Sequence, residues 1–319
     1  MATFEKAAMK HAMIETNGIT MHVVEEGEGK PVLFCHGFPD TWHGWRPQMR
    51  AVADAGYRAI AVDMRGYGRS SAPPEADQYT PLHTVGDLIG VLDALDLPTA
   101  VIVGHDFGAS VAWNAALMRP DRFSAVFGIS VPFRPRGDVS FLAQLRAAGK
   151  DDFYMFFQMM PEADAAWADA AKTIPGALYW LSGTPEPTER FDVFRPGLRF
   201  YQEAPVDVPQ WADPDDVAYT VSELQRTGFH GGLNYYRAVQ LGFDLSAPFK
   251  GALVRQSSYF VRGRVDGLNA LGGGTVEELR QVLPGLRGYL EIAGVGHWPQ
   301  REAPRAVSDA LIGFLKELD

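Results

Sequence analysis

The sequence predicts an α/β fold, in which a mostly parallel central sheet is flanked by helices and a block of helices is inserted between two of the strands. Three observations predict it. Short, nearly continuous apolar runs alternate with a helical pattern early in the chain, as expected for strands buried on both faces of a parallel sheet. The pattern then turns helical for roughly a hundred residues. Strand runs return afterwards and an amphipathic helix closes the chain.

The first run is Met21-His22-Val23-Val24, followed by Pro31-Val32-Leu33-Phe34-Cys35 and Arg58-Ala59-Ile60-Ala61-Val62. From Thr84 to Leu95 apolar side chains recur at helical spacing. Ala100-Val101-Ile102-Val103 is the next strand, and a helical run from Ala109 to Met118 follows it. Another strand is Ala125-Val126-Phe127-Gly128-Ile129-Ser130. From Phe141 to Leu241 the chain reads as helices rich in aromatics and Met, broken at Pro175-Gly176, Thr184-Pro185-Glu186-Pro187 and Val208-Pro209. Strand character returns at residues 258–263 and 286–292, with a helix starting near Thr275 between them; Ala303 to Leu318 is the closing helix. The expected division is a core of residues 1–135 and 246–319 and a helical cap of residues 136–245. Such an insertion would sit over the carboxyl ends of the strands, where open α/β sheets bind ligands, and is a candidate lid.

The chain has 319 residues, 46% hydrophobic and 21% charged, which is ordinary for a folded protein with a large core. Its 29 Lys and Arg against 39 Asp and Glu give a formal charge of −10, a field that repels nucleic acid and anionic membranes, so neither is expected as a partner. Cys35, the single cysteine, fits a reducing compartment. No secretory leader or membrane span is visible, and the expectation is a soluble, cytoplasmic protein.

The strongest chemical signal is Gly104-His105-Asp106-Phe107-Gly108, directly after a strand and before a helix. This is the spacing of a nucleophile elbow, a sharp turn that projects its middle side chain, here Asp106. Asp266 and His297 each follow a later strand, giving the order nucleophile, acid, histidine. His36-Gly37-Phe38-Pro39, after the strand 31–35, can aim the Phe38 N–H into the pocket beside that of Phe107, forming an oxyanion hole. Asp63-Met64-Arg65-Gly66-Tyr67-Gly68 lacks a full nucleotide fingerprint and reads as a structural turn, and Gly272-Gly273-Gly274 as a loop.

An aspartate at the elbow restricts the reaction. Attack on an sp³ carbon gives an ester whose carbonyl belongs to the enzyme, and water activated by His297 can cleave it at the oxyanion hole. A serine would form an ether and stop. Asp266 would orient the His297 ring and stabilise its cation. Plausible substrates are epoxides and alkyl halides, and no metal or organic cofactor is implied.

These residues resemble the soluble epoxide hydrolase branch of the α/β-hydrolase superfamily, through His36-Gly37-Phe38-Pro39, residues 63–68, residues 104–109, Ser130-Val131-Pro132-Phe133, Gly296-His297-Trp298 and the stretch from Arg226 to Arg237. The resemblance implies that two lid tyrosines bond the epoxide oxygen, one of them Tyr236. It points to Tyr154 as the second, although ungapped counting puts Phe153 there; a local irregularity at Tyr154, a single donor, or Tyr219 stay open. It also implies substrate contacts from Phe38, Phe107, Tyr154, Tyr236 and Trp298, with Phe107 where the family usually has Trp. A haloalkane or haloacid dehalogenase using the same aspartate is the alternative, and a non-catalytic binding protein a more distant one. The aromatic and Met-rich lid, with Phe153, Phe156, Met159, Met160 and Trp180, suggests a small apolar or aryl epoxide taken by a monomer or homodimer.

Overall fold

The computed structural model describes residues 9–195 and 199–319. Among them, eight strands form one sheet: β1 (Lys10–Thr16), β2 (Ile19–Glu26), β3 (Pro31–Cys35), β4 (Arg58–Val62), β5 (Ala100–His105), β6 (Phe123–Ile129), β7 (Ser257–Gly263) and β8 (Leu286–Ile292). The spatial order is β1-β2-β4-β3-β5-β6-β7-β8. β1 pairs antiparallel with β2, and β2 with β4; every later pairing is parallel. β5 is buried throughout, and β3 and β6 almost so, which is why they read as unbroken apolar runs.

The chain leaves β3 for β4 on one side and reaches β5 on the other. The sheet therefore reverses direction between β3 and β5, and the crevice at such a point is where these sheets hold ligands. In the β3–β5 register Cys35 lies opposite Gly104, so the turns that follow, with Phe38 and Asp106, emerge side by side.

β1 is absent from the sequence reading, because its outward residues are exposed and its apolar signal is weak. Its hairpin to β2 turns at Asn17-Gly18, both at positive φ (45° and 78°), the preferred pair for a two-residue hairpin loop. The expected break at Pro175-Gly176 does not occur: both lie buried inside the helix Ala170–Trp180. A Cβ on Gly176 would come within 2.0 Å of the Gln202 carbonyl oxygen, so close packing there, rather than helix propensity, decides the backbone.

Seven α-helices lie between β6 and β7, from Phe141–Ala147 to Val239–Leu245, among the described residues. The helix His230–Arg237 meets the turn after β4 backbone to backbone: a Cβ on Gly231 would sit 2.5 Å from the Gly66 Cα. Asp216, on the helix Pro214–Thr227, pairs with His43 at 3.0 Å and with Arg46 at 2.5 Å, tying the inserted helices to the sheet side. No helix among the described residues is long and apolar enough to cross a membrane.

Candidate active site

Asp106 occupies the turn between β5 and the helix Phe107–Met118 with φ 54° and ψ −121°, a conformation that costs an L-residue energy and throws its side chain out of the sheet. The neighbours permit this. A Cβ on Gly104 would lie 2.1 Å from the Gly108 carbonyl oxygen, and one on Gly108 2.0 Å from that of Cys35. Asp106 does not cap its own helix. Its Oδ1 instead accepts the Phe38 N–H at 2.9 Å. The Phe107 N–H belongs to the first helical turn, whose donors lack intrahelical partners.

The Phe38 peptide is held from behind. The carbonyl of Gly37, on the same peptide unit, accepts from His36 Nδ1 at 2.9 Å and from the Asp40 N–H at 3.1 Å, while His36 Nε2 accepts the Met64 N–H at 3.0 Å. That bonding fixes the tautomer of a fully buried His36. In a trans peptide the opposite N–H then points at Asp106.

His297, in the turn after β8, sets Nε2 3.6 Å from Asp106 Oδ2 and Nδ1 3.1 Å from Asp266 Oδ2. Asp266, after β7, uses its Oδ1 to accept the Leu268 N–H at 2.9 Å. All three groups are buried. Burial opposes the His297 charge, but the two flanking carboxylates outweigh it and push its pKa up to about 10. Burial likewise works against the charge of Asp106 and Asp266; the hydrogen bonds and charge of His297, helped by the Phe38 N–H at Asp106 and by Ser130 at Asp266, outweigh it and hold both below the usual carboxylate range. The resting site is an imidazolium between two carboxylates.

Several residues grip the His297 turn, and sequence reading assigned none of them a role. The His297 N–H donates to Leu181 O at 2.8 Å, and its carbonyl accepts from His105 Nε2 at 2.7 Å. Half-buried Glu302 accepts the N–H of Gly296, of Trp298 and of Gly183, all within 3.1 Å. Ser130 Oγ lies 2.6 Å from Asp266 Oδ2 and 2.9 Å from His297 Nδ1. The available signal was positional: Ser130, like Asp106, Asp266 and His297, follows the end of a strand.

Phe38, Phe107, Tyr154 and Tyr236 form one aromatic cluster. Tyr236 packs edge-on against Phe107 (4.7 Å), Phe38 (5.3 Å) and Tyr154 (6.3 Å). Neither the Tyr236 nor the Tyr154 hydroxyl makes a hydrogen bond among the described residues. Burial pushes both far above the ordinary phenol value, so both stay protonated. Tyr235, by contrast, donates to Arg65 O at 3.1 Å. Helix rotation does not carry Tyr154 away, because the helix begins at Tyr154 with Phe153 as its N-cap. Tyr219 is elsewhere, stacked on His43 at 4.1 Å and accepting from Trp42 Nε1. Trp298, expected to touch substrate, is fully buried; its ring packs against His105 and His297 and its Nε1 donates to Ala177 O at 3.3 Å.

Two cavities flank this cluster. One of about 630 Å³ reaches Phe107 and Tyr235, and one of about 230 Å³ reaches Tyr154, Phe191 and Phe200. Asp106 lines neither. The chain of rings Phe107–Tyr236–Tyr154 links one wall to the other. Among the described residues no group of three or more His, Cys, Asp or Glu side chains is arranged to hold a metal.

The alpha/beta hydrolase fold family matches residues 30–173. An epoxide hydrolase of Caballeronia sordidicola is 58% identical over 312 residues, covering 98% of this chain and 95% of that protein. Epoxide hydrolase A of Mycobacterium tuberculosis is 36% identical over 96% of this chain and 97% of its own length. The solved epoxide hydrolase from an endophytic Streptomyces superposes with a TM-score of 0.91 at 36% identity, covering 97% of this chain and 96% of that one. With an elbow aspartate, a strand-end acid and a histidine at the switch point of an α/β-hydrolase sheet, and relatives of this identity over nearly its whole length, the chain belongs to the epoxide hydrolases.

Proposed function

We propose that Asp106 opens the epoxide by backside attack through Oδ2, while Tyr236 and Tyr154 donate hydrogen bonds and a proton to the departing oxygen. The observation that carries this is the division of labour on one carboxylate: Oδ1 is bound by the Phe38 N–H, while Oδ2 faces the His297 imidazolium. Oδ1 then becomes the ester carbonyl, already bonded by the Phe38 N–H, and the Phe107 N–H completes the oxyanion hole as charge develops.

The charge balance drives the second step. Alkylation removes one of the two negative charges that hold His297 protonated, so its pKa falls. Its proton returns the tyrosine to the neutral form. Neutral His297 then takes a proton from water, whose oxygen adds to the Asp106 acyl carbon. Collapse expels the diol oxygen, protonated by the second water hydrogen, and restores carboxylate and imidazolium. Asp266 orients the ring throughout.

Apolar walls on both cavities support a small apolar or aryl-substituted epoxide, its substituents lying on either side of the ring chain. The reading takes residues 136–245 as a cap, a monomer or homodimer as the working form, and a cytoplasmic setting in keeping with one buried cysteine. Single turnover of styrene oxide in ¹⁸O-water tests the scheme: the first diol carries unlabelled enzyme oxygen, His297→Gln accumulates a protein adduct, and Asp106→Asn forms none. Solvent label in the first diol would refute it.

A further inference from the structure

Ser130 stands out on backbone grounds. It follows β6 with φ 70°, its N–H donates to Val261 O at 2.9 Å, and the Val131 N–H closes back on Ile129 O at 2.9 Å. That is a three-residue turn of the rarer, strained hand, occupied by a residue other than glycine. Strain of this kind persists where something nearby uses the result. Here it carries a buried hydroxyl to within 2.6 Å of Asp266 Oδ2 and 2.9 Å of His297 Nδ1.

A hydroxyl has one proton. Donated to the Asp266 carboxylate, it leaves only lone pairs toward His297, so the Nδ1 position must carry hydrogen. The Nδ1–H is then shared between Ser130 Oγ at 2.9 Å and Asp266 Oδ2 at 3.1 Å. Both acceptors favour one tautomer and one ring angle, and they leave Nε2 as the titrating nitrogen that faces Asp106. Asp266 alone would hold the ring by a single longer contact, its other oxygen being occupied by the Leu268 N–H.

We propose that Ser130 is a positioning residue for the hydrolytic half-reaction, fixing the His297 tautomer and ring angle through a hydroxyl shared with Asp266. The proposal rests on the reading of His297 as the base that hydrolyses the Asp106 ester.

The test compares Ser130→Ala with Ser130→Gly, since both lack the hydroxyl while glycine also relieves the backbone. Stopped-flow single turnover of styrene oxide separates ester formation from ester hydrolysis. Mass spectrometry follows the adduct on Asp106, and the downfield imidazole proton resonance reports the Nδ1–H. In both variants ester formation stays within about twofold of the parent, hydrolysis slows about tenfold with accumulation of adduct, and the resonance moves as Asp266 takes the whole proton. Parent-like hydrolysis in either variant overturns the proposal, because recovery in glycine alone means that the backbone was at fault. Equal loss in both steps also overturns it, as does an unmoved resonance. Absence of adduct in the parent, with the resonance still moving in the variants, would instead refute the ester scheme and leave the Ser130 contact standing.

Discussion

Gly37→Ala is a small change with a large consequence worked from the geometry. A Cβ at residue 37 would lie 2.4 Å from Asp106 Oδ1, 2.5 Å from its Cβ and 2.7 Å from the His105 carbonyl oxygen. Ordinary contact begins at 3.4 Å, so the Asp106 carboxylate and the Phe38 peptide must part by about 1 Å. No flexible side-chain end is available to yield, because the Asp106 Cβ is itself in the way and β5 holds its backbone. A displacement of about 1 Å at a reacting group can cost about a hundredfold in rate, and the 2.9 Å bond from the Phe38 N–H is lost with it. Ester formation should therefore slow by about two orders of magnitude, and ester hydrolysis should slow as well because the oxyanion donor is misplaced. Stopped-flow tryptophan fluorescence with styrene oxide reads both steps, since Trp167 lies 4.7 Å from the Phe38 ring. Thermal unfolding run alongside shows that the fold survives. A folded Gly37→Ala protein with ester formation within threefold of the parent (about 0.7 kcal/mol) would refute the oxyanion geometry argued above.

Tyr236→Phe should lower the ring-opening rate by about one to two orders of magnitude, because a charge-assisted hydrogen bond to the departing oxygen is lost. Tyr235→Phe should change unfolding temperature rather than rate, since its hydroxyl serves Arg65 O; equal rate losses would contradict the assignment. Glu302→Gln replaces an acceptor of three N–H groups and should loosen the His297 turn, slowing ester hydrolysis more than ester formation in the same stopped-flow traces. Stability should fall on both sides of neutrality, for separate reasons. Burial and the neighbouring His297 lower the His105 pKa to about 3. The unfolded chain therefore binds a proton from about pH 6.5 downward that the folded one refuses until near 3, and stability declines over that window. His297, raised to about 10, contributes stability that is complete below about pH 6.5 and disappears as pH rises through 10. Urea midpoints across pH check both: His105→Gln should flatten the acid limb and His297→Gln the alkaline one.

Chemistry concentrated at strand ends was legible early because it is local. A buried parallel strand must be apolar along its length, so Asp106 after β5 stands out in one dimension, while Asp266 and His297 follow the less buried β7 and β8 and stand out by their order after it. The elbow glycines are equally local, since the turn itself demands them. β1 escaped for the converse reason, being an edge strand with much of its length exposed.

By itself the sequence determined the parallel core, the inserted helices, the aspartate and therefore the ester chemistry, because each follows from residue identity and near-neighbour spacing. Tertiary structure alone decided which tyrosine hydroxyls are unpartnered among the described residues, that Trp298 backs His297 instead of meeting the pocket, and that Ser130, His105 and Glu302 converge on the His297 turn, Ser130 at the imidazole and the other two at the backbone. The bonds of Ser130, Tyr235 and His105 span between 136 and 192 positions of the chain. A hydrogen bond across such a separation has no periodicity to betray it; only folding the sheet brings its two ends together.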